Sequence, residues 1–165
     1  QGLVYTDADS EIEEMVVEKL RDKKLSLAFA ESCTGGLCSQ RITKVAGASE
    51  NFWGAEVVYQ NAAKKILLGI ELEDPQQAVS SKCSRELALA LRKKSGVDIA
   101  LAITGYLGPT GGTAQDPIGT FYIAVASEAG VREIRISAPG THRDIMQVGA
   151  STHALNQLRL TLENL

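Results

Sequence analysis

Two runs of this chain, "LSLAFAE" at residues 25–31 and "VDIALAITG" at residues 97–105, offer almost no polar face. The first alternates Leu25, Leu27 and Phe29 with small residues, and the second is the most continuous apolar strand in the sequence. Strands without a wet face must be covered on both sides, so they call for a sheet held between helices. The intervening segments supply those helices. "EIEEMVVEKLRDKK" sets Ile12, Met15, Val16, Lys19 and Leu20 at helical spacing behind the capping cluster "TDADS", with acids early and bases late. "TGGLCSQRITKV" reads as a second helix, and "NAAKKILLG" as a short one capped by Asn61 and stopped by Gly69. "SSKCSRELALALRKKSG" starts on serine and ends on lysines and Gly96. A strand is expected to end near Tyr59, and "IGTFYIAVAS" with "VREIRISA" forms a hairpin joined by "EAG". The last segment is a C-terminal amphipathic helix with Ile145, Val148, Leu155, Leu158 and Leu162 on or near one stripe. The expected architecture is a three-layer α/β/α sandwich with a mixed sheet, one domain over residues 1–165.

Composition narrows the partners. A formal charge of −3 gives no global reason to bind nucleic acid or an anionic membrane, although a local cationic pocket for a small anion remains open. No run approaches the roughly 20 apolar residues of a membrane span. The three cysteines, Cys33, Cys38 and Cys83, form no even-numbered framework and no zinc spacing, and a reducing cytoplasm suits them. His142 and His153 have no carboxylate or cysteine at metal-ligand spacing, so no metal is expected.

In a sheet of this kind ligands sit beyond the carboxyl ends of the strands. Three loops qualify, at residues 31–36, 59–64 and 104–113. In the first, "ESCTGG" sets a carboxylate, a hydroxyl, a thiol and a second hydroxyl against two glycines. Backbone N–H groups at such a helix start can hold a phosphate or an oxyanion, and Gly35 and Gly36 permit close approach. Ser32 needs a group to take its proton. With Asn61 as cap, Lys64 falls in the first turn of its helix, where the dipole and Lys65 both disfavour a charged ammonium, and partial burial would do so further. A Ser32–Lys64 pair with Tyr59 nearby follows the logic of serine amidohydrolases that dispense with histidine. Plain readings stand beside these. Ser32 also reads as a helix cap, Lys64 as a solvated lysine, Cys33 as a small buried hydrophobe, and Arg143 as either an anion ligand or surface. "GPTGGT" lacks the Lys-Ser/Thr ending of a phosphate loop.

"AESCTGGL", "VVYQNAAKKILLG", "AVS" before a helix, and "AITGYLGPTGGT" with "PIGTFYIAV" together resemble the C-terminal domain of competence-damage-inducible protein A, CinA, in register from about residue 10 onward. Stand-alone members of that family include nicotinamide mononucleotide deamidases. The resemblance implies hydrolysis of the carboxamide of nicotinamide mononucleotide to nicotinic acid mononucleotide and ammonia, without cofactor. It implies Ser32 as nucleophile, Lys64 as base and Tyr59 assisting proton movement and orientation. Glu31 and Asn61 would order the site, and Thr34, Gly35, Gly36, Thr104, Gly105 and Arg143 would contact oxyanion or phosphate. It also implies assembly of copies, for which Trp53 is a candidate surface. The chain departs from the family's usual pattern at Gln60 and Glu56, at Tyr106-Leu107 where Ile-Ala is usual, and at Thr110 where glycine is common. The larger side chains are expected to reshape the pocket. The reading from another class is a catalytically silent domain that binds a nucleotide or a partner without releasing ammonia.

Overall fold

The computed structural model describes residues 11–165, so the expected cap cluster at residues 6–10 lies outside the described residues. Helix α1 (Ile12–Lys23) begins instead on Glu11, whose backbone N–H donates to the Glu14 carboxylate at 3.2 Å. The chain continues as β1 (Leu27–Glu31), α2 (Leu37–Thr43), β2 (Phe52–Val57), α3 (Asn61–Leu68), a 3-10 turn (Pro75–Ala78), α4 (Ser81–Ser95), β3 (Ile99–Gly105), β4 (Thr120–Ser127), β5 (Gly130–Ser137) and α5 (Arg143–Glu163). The sheet order is β2-β1-β3-β4-β5, with β1 parallel to β2 and β3, and the last three strands antiparallel. The expected three-layer mixed sheet is the observed one.

Alternation along the central strands explains the layers. Leu27, Phe29, Leu101, Ile103, Ile123 and Val125 point into one core with α1 and α5, while Ala28, Ala30, Ala100, Ala102, Ala124 and Ala126 point to the other face under α4. Bulky residues fill the wide side, and alanines let α4 lie close to the sheet. Helix α4 is capped as its sequence indicates: Ser80 Oγ accepts from Cys83 N at 3.1 Å, and Gly96 closes it in the left-handed region at φ 72°. Among the described residues no helix is long and apolar enough to cross a membrane.

Three local expectations require correction. Helix α2 starts at Leu37, because Thr34 to Gly36 form the turn before it. Asn61 is the first helical residue of α3 and Gln60 is its cap residue, without a side-chain capping bond. On α5 the buried stripe is Met146, Ala150, Ala154, Leu155, Leu158 and Leu162, whereas Ile145 and Val148 are 60% and 55% exposed. At 100° per residue, positions 145 and 148 lie off the stripe that starts at 146 and 150.

Candidate active site

The chain leaves β1 for β2 on one side and returns to β3 on the other, so the carboxyl ends of β1 and β3 diverge at a topological switch point. Ser32 stands there. Its N–H donates to Ile103 O at 3.1 Å, and Val58 N donates to Glu31 O at 2.8 Å, so both neighbouring strands fix the backbone around it. Gln147 of α5 ties the loop from a third side, donating to Cys33 O at 2.9 Å.

Glu31 is fully buried, and it collects five donors. Thr34 Oγ1 (2.7 Å), Gly36 N (3.1 Å) and Cys38 N (3.0 Å) reach Oε2, while Ser39 N (2.8 Å) and Ser39 Oγ (2.5 Å) reach Oε1. Sequence reasoning assigned this glycine-rich helix start to a bound anion. The anion there is the protein's own carboxylate, held by the orphan N–H groups of α2. Thr34, Gly35 and Gly36 therefore build the floor behind the site and do not line the cavity. Gly35 and Gly36 adopt φ 63° and 103°, which the turn requires. Neither Cys33 N nor Thr34 N meets an oxygen acceptor among the described residues.

Lys64 is 1% exposed, an extreme burial for an ammonium. Its Nζ donates to Val58 O at 2.9 Å and to Tyr59 O at 3.4 Å, and it stands 3.4 Å from Ser32 Oγ. Burial pulls Lys64 below the ordinary lysine range, with Cys83 and Cys33 acting weakly against it. Burial also pushes the Cys33 thiol up to about 12 and the Cys83 thiol to about 11. Both thiols are thus neutral at pH 7, and Lys64 meets no carboxylate among the described residues. This corrects the sequence argument, which invoked Lys65: that side chain is turned to Glu71 at 2.8 Å. The same burial disposes of Cys33 as a nucleophile.

A cavity of about 280 Å³ opens beside the pair. Its walls include Ser32, Lys64, Tyr59, Asn61, Thr104, Gly105 and Arg143, and it lacks any carboxylate. Tyr59 is 58% exposed, and its hydroxyl accepts from Arg143 Nη2 at 3.0 Å rather than reaching Lys64. Its contact with the lysine runs through its carbonyl, which makes it a positioning residue in this structure. Arg143 also donates to Gly108 O and has no ion-pair partner among the described residues. Thr104 Oγ1 is committed to Ala78 O at 2.6 Å. Gly105 is glycine for a packing reason, since a Cβ there would collide with Phe121 and stand 2.9 Å from Thr120 O. Sequence reasoning left Ala78, Val79 and Gly108 out of the site, although "AVS" and "GP" carried the signal. Tyr106, Leu107 and Thr110, noted as departures, do line the cavity. Of the other two departures, Gln60 does not line it, and Glu56 pairs with Lys94 at 2.6 Å and stays outside it. Among the described residues no group of three or more His, Cys, Asp or Glu is placed to hold a metal ion.

Comparison with known proteins follows the same lines. The model of the CinA C-terminal domain family matches residues 9–162. A CinA-like protein of Geotalea uraniireducens is 41% identical over 99% of this chain and 39% of its own length, and one of Thermotoga maritima is 38% identical over 97% and 39%. The chain thus spans about two fifths of the length of these curated relatives. Among solved structures, a CinA superfamily protein of Klebsiella pneumoniae superposes with a TM-score of 0.86 at 27% identity, covering 93% of this chain and 97% of that one. A competence/damage-inducible protein of Agrobacterium tumefaciens gives 0.85 at 29% identity over 96% and 99%.

Proposed function

The chain belongs to the CinA C-terminal domain family, and on that footing we propose that it is an amidohydrolase converting nicotinamide mononucleotide to nicotinic acid mononucleotide and ammonia, a step in pyridine-nucleotide salvage. The observation that carries the reading is Lys64: buried, without a counter-ion among the described residues, and 3.4 Å from Ser32 Oγ. A neutral amine has two N–H donors and one lone pair. Val58 O and Tyr59 O take the donors, which leaves the lone pair for the serine proton.

In this reading Lys64 Nζ accepts the Ser32 proton as Oγ attacks the carboxamide carbon. The oxygen of the tetrahedral adduct takes the negative charge and is met by the N–H of Cys33, a residue that lines the cavity and whose N–H Glu31 does not use. The C–N bond then breaks, the lysine proton passes to the departing nitrogen, and ammonia leaves an ester on Ser32. Water attacks that ester with Lys64 again as base, and the acid product frees the serine. Tyr59 holds Lys64 through its carbonyl and Arg143 through its hydroxyl. The guanidinium, free of any carboxylate, takes the substrate phosphate. Arg143→Ala is expected to raise KM about tenfold or more with a smaller change in kcat, read from steady-state kinetics; an unchanged KM would remove Arg143 from phosphate binding.

The test is ammonia and acid product from nicotinamide mononucleotide in equal amounts. Binding without release would favour the silent binding domain instead. The three free, buried thiols suit the reducing cytoplasm in which such a step is placed. We propose also that copies of the chain associate through the edge strand β2, where Trp53 and Val57 are 53% and 45% exposed. Light scattering that finds only monomer at high concentration would contradict this.

A further inference from the structure

We propose that Tyr106 forms a subsite for a flat, positively charged aromatic ring, and so selects N-alkylated pyridinium amides over neutral ones. This deepens the amidase reading and rests on it for the identity of the substrate. Tyr106 follows the end of β3, two residues beyond Thr104, on the face of the sheet that carries Ala100 and Ala102 toward α4. Its backbone is fixed: Tyr106 N donates to Thr120 O at 2.8 Å, and Gly119 N donates to Tyr106 O at 2.6 Å.

The ring is flanked on two sides. Gly111, at φ 95°, brings the loop against it so closely that a Cβ there would stand 3.3 Å from Tyr106 Cδ1. On the cavity side, Ala78 and Val79 line the same space and are tied to β3 by the Thr104 hydroxyl. Tyr106 and Val79 thus line the same cavity, whose cationic groups, Lys64 and Arg143, both have other tasks. The Tyr106 hydroxyl meets no partner among the described residues. Burial raises its pKa, and the carboxylates of Asp116 and Asp74 act in the same direction. A cation over a tyrosine face is attracted by the ring's quadrupole, whereas a neutral ring gains only contact area. A substrate with a pyridinium at one end and a phosphate at the other then spans Tyr106 and Arg143 with its amide between them.

Binding is measured by calorimetry in the Ser32→Ala background, so that nothing turns over. The probes are nicotinamide mononucleotide, its reduced form, which keeps amide and phosphate but has a neutral ring, and ribose 5-phosphate, which has no ring. With Tyr106 present, the oxidised nucleotide is expected to bind on the order of tenfold more tightly than the reduced one. Tyr106→Phe keeps that preference and Tyr106→Leu abolishes it, leaving affinity for ribose 5-phosphate unchanged. Should Tyr106→Leu melt early, Tyr106→Met, which keeps more of the bulk, carries the same expectation. A preference that survives in both, or no preference in the Ser32→Ala background itself, overturns the proposal. Ammonia release by the Ser32 protein is scored separately: a Tyr106-dependent preference without ammonia keeps the subsite and removes the amidase reading.

Discussion

Ser32→Ala is expected to lower ammonia release from nicotinamide mononucleotide about a thousandfold or more, while ligand affinity changes little. Lys64→Met is expected to do the same, because the two side chains act as a unit: without the base, Oγ keeps its proton, and without Oγ, the base has nothing to activate. The pH profile separates the roles. Lys64 works as the neutral amine, and burial lowers its pKa in the fold. Activity therefore rises with pH through that lowered pKa and is lost below it, where the ammonium has no lone pair. Stability follows the same group. Unfolded, Lys64 titrates as an ordinary lysine and holds its proton to higher pH than it does in the fold. Between the two pKa values the unfolded chain binds more protons, so stability rises with pH across that window and falls as pH drops through the folded value. Lys64→Met removes this contribution; the buried thiols add an alkaline slope of opposite sign to both proteins, so urea titrations should show the parent gaining stability relative to the variant as pH rises. Equal turnover in Lys64→Met would exclude the lysine from the mechanism.

Glu31→Gln is expected to cost about 3–5 kcal/mol, because a fully buried acceptor of five donors is replaced by a group that turns an N–H₂ toward them. For a chain of this size that corresponds to a fall in Tm of about 10 °C, measured by circular dichroism. The loss would be felt at Ser32 as well, since the next turn of chain loses the anchor that shapes residues 32–36. A melting temperature within a degree or two of the parent would mean that water satisfies those donors as well as the carboxylate does.

The layers were legible in the sequence because their signals are local and strong. Leu27 and Phe29 alternating with Ala28 and Ala30, Gly96 at the end of α4, and the hairpin turn before Gly130 each specify a shape within a few residues. What failed turned on which way a side chain points, or on partners distant in sequence. Only the fold reveals that Glu31 fills the helix start, since a carboxylate pointing inward and one pointing to a ligand look alike in "AESCTGG". The brace in which Arg41 meets Glu13 at 2.6 Å and Thr152 at 2.7 Å joins α1, α2 and α5 and has no local signature. The Ser32–Lys64 pair was found for a partly wrong reason. Of the grounds the sequence offers, burial is the one the lysine meets, under the Val58 and Tyr59 carbonyls, whereas Lys65 pairs with Glu71. Ile145 and Val148 were misplaced because α5 also carries apolar residues off its buried stripe.

In the proposed mechanism an ester forms on Ser32 before water enters. The most direct measurement adds hydroxylamine to the wild-type protein turning over nicotinamide mononucleotide, and follows ammonia, acid and hydroxamate together. A Ser32 ester predicts hydroxamate rising at the expense of acid while ammonia release is not slowed, with neither product from Ser32→Ala. Ammonia and acid released with no hydroxamate at any hydroxylamine concentration, or release that persists in Ser32→Ala, would contradict it.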